Sequence, residues 1–171
     1  MTLAFSQQIN GEPTHFVEKI WASLPKLEVY SDDWIQYSKF DALRTYPPKN
    51  HTIREDKSDR WHAGRDIHFV INNRTPERKQ FAPVVKCRSV QKIVIKHLKI
   101  LQRGGNKLEK ATVWIDGGSS ECFWINGEIK NCAFTIENLA RNDGFETVEA
   151  FFNYFNKDFK GKIIHWTPLM Y

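Results

Sequence analysis

No stretch of this 171-residue chain is apolar for long enough to cross a membrane as a helix. A soluble protein is expected, in keeping with 41% hydrophobic and 26% charged residues, an ordinary globular balance. The opening MTLAFSQQINGEP has no basic region followed by an apolar core and a small-residue cleavage site, so export is not expected. Cysteine is scarce. Cys87, Cys122 and Cys132 are odd in number and form no CxxC pair, which argues against a disulfide framework and for a reducing, cytoplasmic compartment. A glycine-rich phosphate loop is missing too, since Gly104-Gly105 and Gly117-Gly118 read as hairpin tips. His51, His62 and His68 lack the spacing of a zinc site, and no cysteine pair supports them, so neither a metal nor a cofactor is expected. There is no internal repeat and no low-complexity segment.

The length suits one domain spanning residues 1–171. A net charge of +5 is modest, but its distribution is not. Between Lys86 and Lys110 lie also Arg88, Lys92, Lys96, Lys99, Arg103 and Lys107, against the single acid Glu109. Val84 to Leu98 reads as one long strand, kinked or bulged, whose even positions carry Lys86, Arg88, Lys92 and Lys96. One strand face is therefore basic. Before it, LAFSQQI reads as a strand and Asn10-Gly11 as a turn. Thr14 reads as the cap of a helix with Phe16, Val17, Ile20, Trp21 and Leu24 at helical spacing, ended by Pro25. After it come strands at Thr112 to Ile115 and Cys122 to Ile125, closed by a tight Asn126-Gly127 turn. A helical turn at Ile136 to Ala140 is broken by Asn142-Asp143-Gly144, and Thr147 caps a helix with Val148, Phe151, Phe152 and Phe155 on one face. Many short strands with helices at their edges predict an α+β fold with a strongly curved or closed sheet.

The segment KNHTIRED, after Pro47-Pro48, carries the most chemistry. Lys49 and Thr52 are three apart, so they share a face of a helical turn but not of a strand. The spacing predicts a turn there, running into a strand at Ile53. A lysine whose ammonium is desolvated can act as a base toward a hydroxyl or a water. Asp143, in the tight NDGF turn, is the carboxylate that can orient the lysine or protonate a leaving amine. The plainer alternative is that KNHTIRED is an exposed polar turn and Asp143 a helix breaker.

KNHTIRED, RWHAGRDIHF, VVKCRSVQKIVI, ARNDGFETVEAFFNYF and KGKIIHW, in that order, resemble the ASCH domain family of the PUA-like superfamily. The resemblance covers most of residues 45 to 171. The opening FSQQINGEPTHFVEKI is similar to the front end of ASCH-like proteins, many of them encoded by prophages. It implies a PUA-like small β-barrel with flanking helices, residues 46–171 as its core and 1–45 as a strand-helix extension. It also implies a cleft that takes a base or nucleoside. Some small members of the group hydrolyse N4-acetylcytidine with a lysine, a threonine and a glutamate. By motif, Lys49 and Thr52 match the first two, and Asp143 falls where the glutamate is expected, one methylene shorter. The resemblance thus implies binding of RNA or a modified nucleoside, with amidohydrolase action on the N4-acetylcytidine amide. A binding module without catalysis, and a ribonuclease using His51 as base, are the rival readings.

Lys86, Arg88, Lys92 and Lys96 are expected to hold phosphates. Arg54 can contact a phosphate or pair with Glu55 or Asp56. Trp61, between Arg60 and Arg65, can stack on a base or sit in the core, and the core is the commoner place. Trp21 and Trp166 read as structural.

Overall fold

The structure, a computed structural model, describes residues 1–24, 45–101 and 107–171. Pro25, Arg103 and the Gly104-Gly105 tip lie outside the described residues. The described chain is mixed α+β, mostly strands with three helices. No helix among the described residues is long and apolar enough to cross a membrane.

Contacts divide the chain into two compact units. The first comprises residues 1–52, 61–90 and 164–169; the second comprises 53–60, 91–163 and 170–171.

In the first unit, β1 (Thr2–Ala4) runs parallel to β5 (Asp66–Ile71), which also pairs with β6 (Lys79–Gln80) and β7 (Val85–Lys86). A small hairpin joins β2 (Gln8–Ile9) to β3 (Glu12–Pro13). Its turn residues Asn10 and Gly11 both have positive φ, 53° and 86°, the mirror-image turn that matches strand twist. Helix α1 (Phe16–Ser23) opens one residue later than a Thr14 cap predicts, because His15 takes the left-handed φ of 52°. Thr14 still accepts from the Phe16 amide at 3.4 Å while donating to the Ser6 carbonyl at 2.8 Å. The core gathers Leu3, Phe5, Ile20, Trp21, Trp61, Ile67, Phe69, Phe81 and Trp166. Buried indoles need a partner for their N–H. Trp21 donates to the Phe81 carbonyl at 3.0 Å and Trp166 to Ser23 Oγ at 2.8 Å, so both are structural as expected.

Most of a six-stranded sheet, in the order β11-β10-β9-β8-β12-β4, falls in the second unit; only the first two residues of β4 and of β8 and the last two of β12 are counted in the first. The six strands are β4 (His51–Arg54), β8 (Ser89–Leu101), β9 (Lys107–Ile115), β10 (Gly118–Ile125), β11 (Glu128–Cys132) and β12 (Phe159–His165). The order has free ends at β11 and β4, and no pairing among the described residues closes the sheets into a barrel. Asp116-Gly117 and Asn126-Gly127, all at positive φ, make the two hairpin turns. Helix α2 (Phe134–Asn142) ends on Asp143, with Gly144 at φ 90°. Helix α3 (Val148–Tyr154) is capped by Thr147, whose side chain accepts from the Ala150 amide at 3.1 Å. Ile53, Ile93, Ile95, Val113, Ile136, Leu139, Phe151 and Ile163 are in its core. Where β12 meets β4, a Cβ on Gly161 would overlap the Arg54 carbonyl oxygen and lie 2.7 Å from the Phe159 ring. Only glycine fits that approach.

The expected long strand from Val84 to Leu98 is interrupted. β7 ends at Lys86, and β8 begins at Ser89. In between, Cys87 N donates to the Arg65 carbonyl at 2.7 Å and Arg88 N to the His165 carbonyl at 2.8 Å. The Cys87 bond is made to the segment before β5 and the Arg88 bond to the end of β12, so the chain changes partner between β7 and β8.

Candidate functional site

The segment after Pro47-Pro48 is not an exposed polar turn. Lys49, His51, Thr52 and Ile53 are all buried, and Lys49 is only 1% exposed. The geometry also departs from the expected helical turn, since β4 already begins at His51. Thr52 therefore lies in extended backbone, where residues two apart share a face. His51, two residues on from Lys49, is the residue whose ionisation the lysine affects.

The backbone of this segment is fixed on both sides. Lys49 N donates to the Lys19 carbonyl on α1 at 2.9 Å, and the Thr167 hydroxyl donates to the Asn50 carbonyl at 3.2 Å. The Lys49 ammonium lies 4.7 Å from the Phe16 ring centroid and 5.9 Å from that of Phe5. Both distances are within the range at which an aromatic face attracts a cation, and burial strengthens that attraction. Phe5 and Phe16 also wall a cavity of about 190 Å³ with Thr14, His15, Val17 and Ile71. Tyr46 stacks on His15 with centroids 4.5 Å apart.

His51 is wholly buried, edge-on to His165, with ring centroids 5.2 Å apart. Burial is the largest cause holding its pKa well below the ordinary 6.5, followed by the Lys49 charge and then His165. These causes all favour the uncharged imidazole. His165 was not singled out in the sequence, although a histidine closing the apolar run KIIHW is the kind of signal that marks a buried polar group. Lys19, 2% exposed, was missed as well. It stands three residues after Phe16, on the apolar stripe of α1, where a lysine is out of pattern.

Asp143 belongs to the second unit and is 4% exposed. Its Oδ1 accepts from the Ile53 amide of β4 at 3.3 Å. Its charge also helps push the Tyr171 phenol up, after burial, which is the larger cause. Asp143 thus supports the strand residue that follows Thr52.

The expected phosphate-binding residues divide. Trp61 is 5% exposed in the first core, so it is not an open stacking platform. Arg54 is half-buried on β4, and Arg60 is exposed in the turn organised by its amide bond to Asp56 Oδ1 at 3.0 Å. Lys86 and Arg88 fall in the first unit, Lys92 and Lys96 in the second. Both pairs are exposed, but Lys86 is ion-paired to Asp66 at 2.6 Å and Lys96 to Asp158 at 2.7 Å. These lysines hold the two carboxyls below their ordinary pKa, chiefly by hydrogen bonding. Lys92 lines a cavity of about 480 Å³ with Asp56, Lys57, Lys160 and Lys162. Lys162 bridges Asp56, at 3.0 Å, and Asp59 there. Among the described residues, no cluster of three or more His, Cys, Asp or Glu side chains has the arrangement of a metal site.

Compared with models of protein families, with curated proteins and with solved structures, the chain shows no significant match.

Proposed function

We propose that the protein binds RNA or a modified nucleoside through the segment Lys49 to Thr52, and that hydrolysis of the N4-acetylcytidine amide is the reaction this segment serves. The observation that carries the reading is the burial of a lysine, a histidine and a threonine within four residues of one another. Burying such groups is costly, so a chain that does so has a use for them. On this reading, the six-stranded sheet is the counterpart of a PUA-like barrel.

The chemistry assigns roles that differ from a lysine base. Held over the Phe16 ring, Lys49 serves as donor to a carbonyl or oxyanion. The neutral His51 is then the proton acceptor. A water loses its proton to His51 as its oxygen bonds the acetyl carbon. The C–N bond breaks, the exocyclic amine leaves with that proton, and acetate and cytidine result. The Thr52 hydroxyl binds the base edge or the water. Asp143 acts through the Ile53 amide, as a positioning residue for β4.

The neutral His51 also favours a second reading. A base beside a ribose 2′-hydroxyl is what a ribonuclease needs. Incubation with N4-acetylcytidine and, separately, with short single-stranded RNA distinguishes the two. Acetate release that is lost in Lys49→Ala and His51→Gln supports the amidohydrolase. Strand cleavage supports the ribonuclease, and binding lost in Lys49→Ala without any product supports a non-catalytic reader. Neither binding nor turnover of either substrate rejects all three.

A further inference from the structure

Cys122 on β10 and Cys132 on β11 are direct partners across the antiparallel ladder. The Ala133 amide donates to the Glu121 carbonyl at 2.9 Å, which makes Cys122 and Cys132 a non-hydrogen-bonded pair. In such pairs the Cα atoms stand roughly 4.5 Å apart and the side chains are at their closest. That spacing lies within the roughly 4.4–6.8 Å that a disulfide spans. Both are free thiols.

We propose that Cys122 and Cys132 are a reversible oxidation site that closes to an intramolecular disulfide when the protein meets a peroxide. Cys132 is partly exposed and Cys122 fully buried, so the peroxide reaches Cys132 first. The Cys132 sulfur attacks one peroxide oxygen: an S–O bond forms, the O–O bond breaks, and the second oxygen leaves as water with the thiol proton. The Cys122 sulfur then attacks the Cys132 sulfur, the S–S bond forms and the S–O bond breaks. The departing hydroxyl takes the Cys122 proton as a second water. Two thiols lose two electrons and one peroxide gains them. The Cys122 thiol is pushed far up by the neighbouring Cys132 thiol and by burial, which suits the resolving role rather than first attack. The link would tie β10 to β11 one residue before Ala133, the cap of α2, and so brace the helix that ends on Asp143.

The test uses the whole chain. The folded protein is held with excess hydrogen peroxide, quenched with catalase, then unfolded in urea with N-ethylmaleimide and weighed intact. The expected product is 2 Da lighter before alkylation and takes one maleimide, on Cys87, while dithiothreitol restores three. Cys87→Ser should still lose 2 Da and take none. Cys132→Ser should lose no mass and take two. The proposal is overturned by three maleimides after peroxide, by a sulfinate on Cys132 with Cys122 still alkylated, or by a disulfide that includes Cys87.

Discussion

The two units bury different things. Among the described residues, the first encloses Lys19, Lys49, His51 and His165 together with Thr14, Thr52 and Thr167, whereas the second keeps Gln91, Thr112 and Asp143 beside an isoleucine and phenylalanine core. An apolar interior is sensitive to volume, because its stabilisation is close packing. An interior holding ionisable groups is sensitive to protons, because each buried group has a state it must keep. The first unit should therefore respond more to pH, and the second more to a methyl group.

The largest effect should come from Gly161→Ala. Forcing a Cβ against the Arg54 carbonyl and the Phe159 ring should lower the unfolding free energy by about 3 kcal/mol, the upper part of the range for overpacking. Urea denaturation measures it, and a loss below about 0.5 kcal/mol would show that β12 and β4 part easily.

Acid separates the units next. His51 has a folded pKa below its ordinary 6.5, so between the two values the unfolded chain binds the extra proton. The stability this neutral imidazole contributes is present above about pH 6.5 and drains as pH falls, by up to about 1.4 kcal/mol per pH unit. Segment-resolved hydrogen exchange at pH 7.5 and 5.5 should show residues 49–52 losing protection at the lower pH while β9 and β10 keep theirs. His51→Gln should flatten the pH dependence. An unchanged slope in that variant would assign it to other groups.

A smaller change sharpens the second unit's side of the comparison. Thr147→Ala removes the acceptor for the Ala150 amide and should cost about 1 kcal/mol, at every pH between 5.5 and 7.5 alike. A pH-dependent cost would break the contrast.

The smallest expected effects are on the surface. Lys86→Ala and Lys96→Ala remove ion pairs between exposed side chains and should leave the thermal midpoint unmoved. Among the described residues, Arg88 and Lys92 make no ion pair. If RNA binds, replacing both by alanine should reduce the salt dependence of its affinity by about two phosphate contacts, with stability unchanged. Equal loss from Lys86→Ala and Lys96→Ala would mean that their carboxylate partners yield to phosphate.

Local chemistry decided much of the fold from sequence. Asn10-Gly11 and Asn126-Gly127 make tight turns because both residues of each pair tolerate positive φ, and Thr147 caps α3 because its hydroxyl reaches the Ala150 amide three residues on. Those are interactions between near neighbours, and neighbours are what a sequence lists. The same holds for the break at Asn142-Asp143-Gly144. What failed was decided at long range. Alternation made Lys86 to Lys96 one basic face, but Arg88 bonds to His165, and the strand divides between two units. Spacing set Lys49 against Thr52 on a helical turn, but the strand beginning at His51 makes the backbone extended. Lys49 and Asp143 were legible as residue types. That Lys49 is buried over Phe16, that His51 meets His165 more than a hundred residues away, and that Cys122 faces Cys132 were not. Burial and cross-strand register are properties of which distant segments pack together, so only the tertiary structure could decide them.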